Sequence, residues 1–288
     1  MPELPEVEVM AERLQRWVGE RITDVWVDQG MSLKAGAKYL PGDEYNAVIG
    51  QAITGVSRRG KYLVIDTSSG ALLCHNAMSG YWDADDDPWT FDYVEGKRVA
   101  SLRDVRVSLR MGDNGCFTIA PWIQFHDARK FGSLRFMEKR AVEEKLKYLG
   151  PEAMKTPRCL EPKGIDFDQF WDVLRSPKPV KEVLMDQSRI AGIGNIYASE
   201  ACFLAGINPL TPAQQIPRDH GIDAEDQSKT ALSLLLAIRT ALYCALRRNL
   251  SYDGLVVYRR KECKVCKGPI SSQEVKGRST WWCPACQN

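Results

Sequence analysis

The chain has 288 residues, 44% of them hydrophobic and 26% charged, with 39 Lys+Arg against 37 Asp+Glu and a net charge of +2. That length suits about two domains plus a small module. The charge balance excludes a polybasic tail protein and an acidic disordered one, but it leaves nucleic-acid binding open, because a net sum hides where the charges sit. No stretch reaches the roughly 18 apolar residues of a membrane helix; the nearest, Thr230–Ile238, stops at Arg239. The opening segment carries Glu3, Glu6 and Glu8 where a signal peptide would be basic. A cytoplasmic location is expected, nucleoid-associated if DNA is the partner.

Apolar residues at 7, 10, 14, 17 and 18 have helical spacing, with Pro5 suited to a first turn and Gly19 to a stop. Short apolar or alternating runs follow at Ile22–Val27, Ala52–Val56, Lys61–Asp66, Ala71–Cys74, Val105–Arg110, Cys116–Ala120 and Ser133–Phe136. Thr67–Gly70 and Gly112–Gly115 read as hairpin turns, and Asp83–Asp87 as a solvated acidic loop. Residues 1–136 therefore predict a helix followed by a β-rich domain of sandwich or barrel kind. Residues 137–164, with Gly150-Pro151, Pro157 and Pro162-Lys163-Gly164, read as a linker containing a short helix. Helical patterns follow at Asp166–Arg175, Lys181–Asp186, Asn195–Ala205 and Gln227–Asn249 within a domain spanning 165–258.

Residues 259–288 form a separate module. Cys263-x-x-Cys266, sixteen residues, then Cys283-x-x-Cys286 is the spacing of a four-cysteine zinc site. Thiolates suit Zn²⁺, and four protein ligands close the site, so one structural zinc is expected. So short a module needs the metal for its folding energy. The other cysteines, Cys74, Cys116, Cys159, Cys202 and Cys244, stand singly and read as reduced residues in apolar contexts. Arg259, Arg260, Lys261, Lys264, Lys267, Lys276 and Arg278 face only Asp253, Glu262 and Glu274 in this region. Clustered cations on a zinc hairpin suit phosphate contacts; a solvated basic face is the plainer alternative.

Two further segments carry candidate chemistry. In Asp186–Asn195, Gly192 and Gly194 permit unusual backbone conformations, Asn195 suits an N-cap, and a glycine turn opening a helix presents N–H groups to an anion. At the N-terminus, removal of Met1 would leave Pro2 with a secondary α-amine, partly neutral near pH 7 and able to form a Schiff base. Glu3 is adjacent, and Glu6 lies one helical turn on. Taken alone, each segment also fits an ordinary helix turn or a capped first helix.

The combination resembles the formamidopyrimidine-DNA glycosylase/endonuclease VIII family of DNA repair enzymes. The resemblance rests on Met1-Pro2-Glu3-Leu4-Pro5-Glu6-Val7-Glu8, Arg58-Arg59-Gly60-Lys61-Tyr62, His75-x-x-Met78-Ser79-Gly80 and Asp127-x-Arg129-Lys130-Phe131-Gly132. It continues through Leu149-Gly150-Pro151-Glu152, the Gln187–Asn195 turn and Arg278 five residues before Cys283, so it covers essentially the whole chain. Leu4 is closer to the formamidopyrimidine branch. The resemblance implies an α+β fold: an N-terminal helix with a two-sheet β-sandwich, a helical domain with a helix–two-turns–helix motif, and a C-terminal zinc ribbon. It implies a monomeric, bifunctional glycosylase/lyase acting on oxidised bases in double-stranded DNA. Pro2 is then the nucleophile, Glu3 the acid/base, and Lys61, Asn195 and Arg278 the phosphate contacts, with Lys61 and Arg278 counted in the catalytic set. The resemblance also implies that Lys181 is a DNA-binding residue near the pocket. Met78, Arg129 and Phe131 fill the space of an everted base. An enzyme for oxidised pyrimidines and an inactive DNA-binding homologue are the alternatives.

Two features depart from the family pattern. Ala77 stands where the family usually has Gly. Only about a dozen residues separate Asn249 from Cys263, where bacterial formamidopyrimidine enzymes have a longer segment. That shortening shifts the expected substrates toward abasic sites, formamidopyrimidines and hydantoins, with 8-oxoguanine weaker. The cation clusters Arg58–Lys61, Arg129–Lys130, Lys178–Lys181 and Arg259–Arg278, offset by acids at Asp83–Asp87 and Asp223–Asp226, predict one basic cleft.

Overall fold

The computed structural model describes residues 2–28, 45–84, 92–94, 97–99, 104–112, 122–161, 163–219, 229–248 and 250–287. The expected strand at Cys116–Ala120, most of the Gly112–Gly115 turn and the acids at Asp223–Asp226 lie outside them. The chain forms two compact units. One comprises residues 1–2, 7–147 and 158–160; the other comprises 3–6, 148–157 and 161–288. Among the described residues no helix is long and apolar enough to cross a membrane.

In the first unit, helix α1 (Leu4–Leu14) sends Val7, Ala11 and Leu14 into the core, the 3.6-residue spacing that the sequence shows. A short 3-10 turn (Gln15–Trp17) follows, and Gly19, at φ +98, turns the chain into the sheets. Strands β1 (Ile22–Val27), β2 (Ile53–Arg59), β3 (Tyr62–Thr67), β4 (Ala71–His75), β5 (Tyr81–Ala84), β6 (Asp92–Val94), β7 (Lys97–Val99), β8 (Val105–Met111), β9 (Trp122–His126) and β10 (Ser133–Met137) complete it. Two four-stranded antiparallel sheets have the orders β1-β8-β9-β5 and β10-β4-β3-β2. Ile22, Val107, Leu109, Ile123 and Phe125 of one sheet share a core with Ile53, Leu63, Ile65, Leu72, Cys74 and Leu134 of the other. This is the expected sandwich. Thr67–Gly70 closes a hairpin as expected, with the Thr67 N–H donating to the Gly70 carbonyl at 2.8 Å. The sequence reading missed β5, β6, β7 and β9. Strands β6 and β7 have three residues each and β5 only four, and β9 is paired on both edges, where partners rather than its own alternation specify it. Helix α2 (Lys139–Leu146) is the short helix expected in the linker.

The second unit is helical: α3 (Phe167–Leu174), α4 (Val180–Met185), α5 (Asn195–Leu204) and α6 (Ala231–Arg247). Asp166 and Thr230 open α3 and α6 with capping boxes. Leu4 belongs to this unit's core, with Phe170, Leu184, Ile193, Ala198, Leu234 and Leu242. The C-terminal module is the hairpin β11 (Ser271–Val275) and β12 (Arg278–Trp282), joined by the two-residue turn Lys276-Gly277. Its attachment is polar and buried. The Glu200 carboxylate accepts the backbone N–H groups of Val256, Val257 and Tyr258 at 2.8–3.0 Å, and the Gln287 amide donates to the Ile207 carbonyl at 2.9 Å.

Candidate nucleic-acid interface

The glycine turn precedes α5, and the N-terminal segment supplies its cap. Glu3 is fully buried, and its carboxylate accepts the N–H groups of Gly194 (2.7 Å), Ile196 (2.8 Å) and Tyr197 (3.3 Å). The turn therefore does bind an anion, but the anion is this chain's own carboxylate. This also corrects the expected N-cap: α5 starts at Asn195 and its cap residue is Gly194. Glu3 supplies the acceptor that a capping side chain would, and position 194 must instead be small. A Cβ there would lie 2.4 Å from Glu3 Cδ, and one at Gly192 (φ +98) would lie 2.7 Å from a Leu4 methyl.

The turn itself rests on the Leu149–Glu152 motif and on Gln187. Gly150 N–H donates to the Gln187 carbonyl (2.9 Å), and Ala191 N–H to the Pro151 carbonyl (2.8 Å). The Gln187 amide donates to Ile193 O (2.8 Å) and accepts from Gly192 N–H (3.0 Å). Glu6, also buried, accepts the Glu3 N–H at 2.9 Å and the Tyr197 hydroxyl at 2.7 Å, with the Tyr252 hydroxyl at 3.4 Å. It thereby fixes the peptide between Pro2 and Glu3. Burial, reinforced by Glu6, pushes both phenols well above the ordinary tyrosine range, so they remain donors. Asn195 is 8% exposed, and its side-chain oxygen is buried without a hydrogen-bond partner among the described residues.

Lys181 is 1% exposed. Its ammonium donates to the Ser279 carbonyl (3.1 Å) and the Thr280 hydroxyl (2.9 Å) of β12. Burial lowers this ammonium to about 8, against smaller opposing effects of Cys202 and Glu3. In this structure it anchors the hairpin. Arg278, beside those partners, is exposed. The sulfurs of Cys263, Cys266, Cys283 and Cys286 all lie within 4.8 Å of one another. Four thiolates converging from two knuckles fit a tetrahedral metal.

In the first unit, Lys61 follows Gly60 (φ +56) in the turn between β2 and β3. This turn has a rigid base. Arg58 is fully buried, its Nε 2.9 Å from the Glu8 carboxylate and its guanidinium donating to the Gly60 carbonyl at 3.0 Å. Glu8 also accepts the Arg158 N–H at 2.7 Å. The Arg58–Lys61 cluster is thus not a uniform basic patch, because Arg58 is consumed in the interior and Arg59 is only 6% exposed.

Met78 and the pair Arg129 and Phe131 sit on two loops that Asp127 ties together. Its carboxylate accepts from the Ser79 hydroxyl (2.5 Å) and the Gly132 N–H (2.6 Å), while Ser79 Oγ accepts the Arg129 N–H (3.1 Å). The Arg129 guanidinium stands 5.0 Å over the Phe131 ring, which is 46% exposed. Ala77, the departure from the family pattern, has φ +48, a conformation that favours glycine.

The sequence reading did not single out Glu8, Asp127, Gln187 or Glu200 as site supports. Their partners are mostly remote in sequence, and only Glu200, an acid inside the otherwise apolar run of α5, carried a local signal.

A sandwich with α1, a helical unit opened by a glycine turn, and a four-cysteine hairpin define an H2TH zinc-finger protein. Residues 1–134 match the Formamidopyrimidine-DNA glycosylase N-terminal domain, 149–237 the Formamidopyrimidine-DNA glycosylase H2TH domain, and 260–288 the zinc finger found in FPG and IleRS. The chain belongs to the formamidopyrimidine-DNA glycosylase family. It is 30% identical to the formamidopyrimidine-DNA glycosylase of Bdellovibrio bacteriovorus and 34% to that of Variovorax paradoxus, over 100% of each chain. It also resembles the crystal structure of the Lactococcus lactis enzyme bound non-covalently to AP-site DNA, with TM-score 0.75, 26% identity and 99% of each chain covered.

Proposed function

We propose that this protein is a monomeric, cytoplasmic DNA glycosylase with AP lyase activity, acting in base excision repair on damaged double-stranded DNA. The observation that carries the reading is the Glu3 carboxylate, buried and fixed by three backbone N–H groups, immediately after Pro2. Once Met1 is removed, the neutral Pro2 amine attacks C1′ of the damaged nucleotide. The N-glycosidic bond breaks, and the base departs with the bonding electrons and gains a proton. Glu3 assists opening of the sugar ring by proton transfer at the ring oxygen, leaving an iminium between Pro2 and C1′. Loss of a C2′ proton expels the 3′ phosphate, and a second elimination expels the 5′ phosphate, leaving a one-nucleotide gap.

The remaining residues bind and hold. Lys61, Asn195 and Arg278 contact the backbone phosphates, and Lys181 holds the hairpin that carries Arg278. Met78, Arg129 and Phe131 occupy the space of the everted base, which offsets part of an unstacking cost of about a few kcal/mol. One structural zinc on the four cysteines maintains the hairpin. Among the described residues, the segment between α6 and Cys263 holds a single 3-10 turn, Tyr252–Gly254, followed by Val256–Tyr258, whose N–H groups donate to Glu200. Formamidopyrimidines, hydantoins and abasic sites are therefore the favoured substrates, with 8-oxoguanine weaker.

A panel of duplexes carrying these lesions tests the ranking, and rapid excision of 8-oxoguanine above all others would contradict it. Pro2→Gly should abolish base excision while DNA binding persists; full excision by that variant would remove Pro2 from the mechanism. Zinc chelation should abolish DNA binding before the sandwich unit melts, and unchanged affinity in metal-free protein would contradict the role of the hairpin.

A further inference from the structure

Between α4, the start of the glycine turn and the hairpin tip lies a cavity of about 290 Å³. Lys178, Lys181, Arg189, Lys276 and Arg278 line it, and so do two carboxylates in this predominantly cationic wall, Asp186, which lies 3.7 Å from the Arg189 guanidinium, and Glu182. An acid beside a phosphate-binding arginine should weaken DNA binding by simple repulsion. Its contacts indicate another use. Glu182 lies 2.6 Å from the Lys276 ammonium and 3.4 Å from that of Lys178, with its side chain only 14% exposed.

Lys276 is the first residue of the β11–β12 turn and has φ +48, followed by Gly277 at +69. Two-residue turns of this kind favour Asn, Asp or Gly there, so a lysine is a poor choice on backbone grounds alone. Its side chain compensates by reaching α4. The residue before Glu182, Lys181, grips the same hairpin one and two positions past Arg278, at Ser279 and Thr280. Consecutive residues of α4 therefore hold the hairpin on either side of Arg278, whose own side chain has no hydrogen bond or ion pair among the described residues.

We propose that Glu182 and Lys276 form a latch that positions Arg278 for a DNA phosphate, so that an acid in a basic cavity strengthens DNA binding. The proposal rests on the functional reading above. Glu182 touches no substrate; it is a positioning residue acting through Arg278. Two explanations of Glu182 then differ in sign. If only net charge matters, Glu182→Gln removes a repulsive charge and binding tightens. If the latch matters, binding weakens, by about fivefold for one ion pair of this exposure.

The test measures affinity of the full-length zinc-loaded protein for a duplex bearing a tetrahydrofuran abasic analogue, at several salt concentrations. Glu182→Gln should raise Kd about fivefold. In an Arg278→Ala background the same substitution should give no further loss. The exchange Glu182→Lys with Lys276→Glu should recover most of the affinity, even if the single variant loses its metal. Equal or tighter binding by Glu182→Gln, an undiminished loss in the Arg278→Ala background, or no recovery in the exchange would each overturn the latch. Failure of the wild type to cleave abasic DNA would instead overturn the functional reading.

Discussion

Replacing Glu3 with Gln changes one atom, and the geometry fixes its cost. The carboxylate presents Oε2 to the N–H groups of Gly194 and Tyr197, and Oε1 to that of Ile196. An amide has one oxygen. Turned toward Gly194 and Tyr197, it places its NH₂ against the Ile196 donor; flipped, it abandons the other two. At least one buried N–H loses its acceptor, costing about 1–3 kcal/mol. The anion at the start of α5 also disappears, worth about 0.3–2 kcal/mol beside a helix terminus. Glu3→Gln should therefore destabilise the helical unit by about 2–4 kcal/mol, a sizeable part of an ordinary folding free energy of about 5–15 kcal/mol. Urea unfolding followed by fluorescence of Trp171, Trp281 and Trp282, all in that unit, would show a lower midpoint with an unchanged slope. Loss of base excision with stability within about 0.5 kcal/mol of wild type would refute the anchoring argument, since Glu3 would then serve chemistry alone.

Three other expectations follow from single contacts. Glu8→Gln or Arg58→Met leaves one buried partner of a 2.9 Å ion pair uncompensated, and should cost the sandwich unit about 3–5 kcal/mol; a shift in its denaturation midpoint below about 1 kcal/mol would contradict this. Ala77→Gly relieves the φ of +48 and should cost little or stabilise by up to about 1 kcal/mol, whereas Ala→Gly at an ordinary negative φ normally destabilises; a drop in Tm would show that the loop gains more from Ala than the backbone loses. Burial holds the Lys181 ammonium near 8, below its ordinary 10.5. The unfolded chain then carries more protons between pH 8 and 9, so stability of the helical unit should rise across that window. Lys181→Met should flatten the rise, and an identical pH profile in both proteins would contradict the burial effect. The window stops at pH 9 because Cys202, which burial raises to about 12, contributes in the opposite direction above it.

The sequence was most informative where chemistry is local. The helical spacing of α1, the paired cysteines and the glycine turn all follow from residues within a few positions of one another. The turn and the N-terminal acid were both visible as candidates, but not that Glu3 occupies the turn, because that contact joins residues nearly 200 positions apart. The same distance effect hid the burial of Arg58 against Glu8 and the hold of Lys181 on the hairpin. A cation in a motif says where charge is placed along the chain; only packing says whether it faces solvent. Asn195 illustrates the converse. Its N-cap propensity suggested the cap one residue too late, at the first helical position, because the cap is Gly194 and a carboxylate from another element fills the acceptor position.

The central claim is that an amine of this chain forms a covalent imine with the sugar of damaged DNA. Borohydride reduction during incubation with a duplex containing a single abasic site tests it most directly. The account predicts a stable protein–DNA adduct in the wild type, carried on the peptide that begins with Pro2 and absent in Pro2→Gly. No adduct with the wild type, or an adduct mapped to a lysine and undiminished in Pro2→Gly, would contradict it.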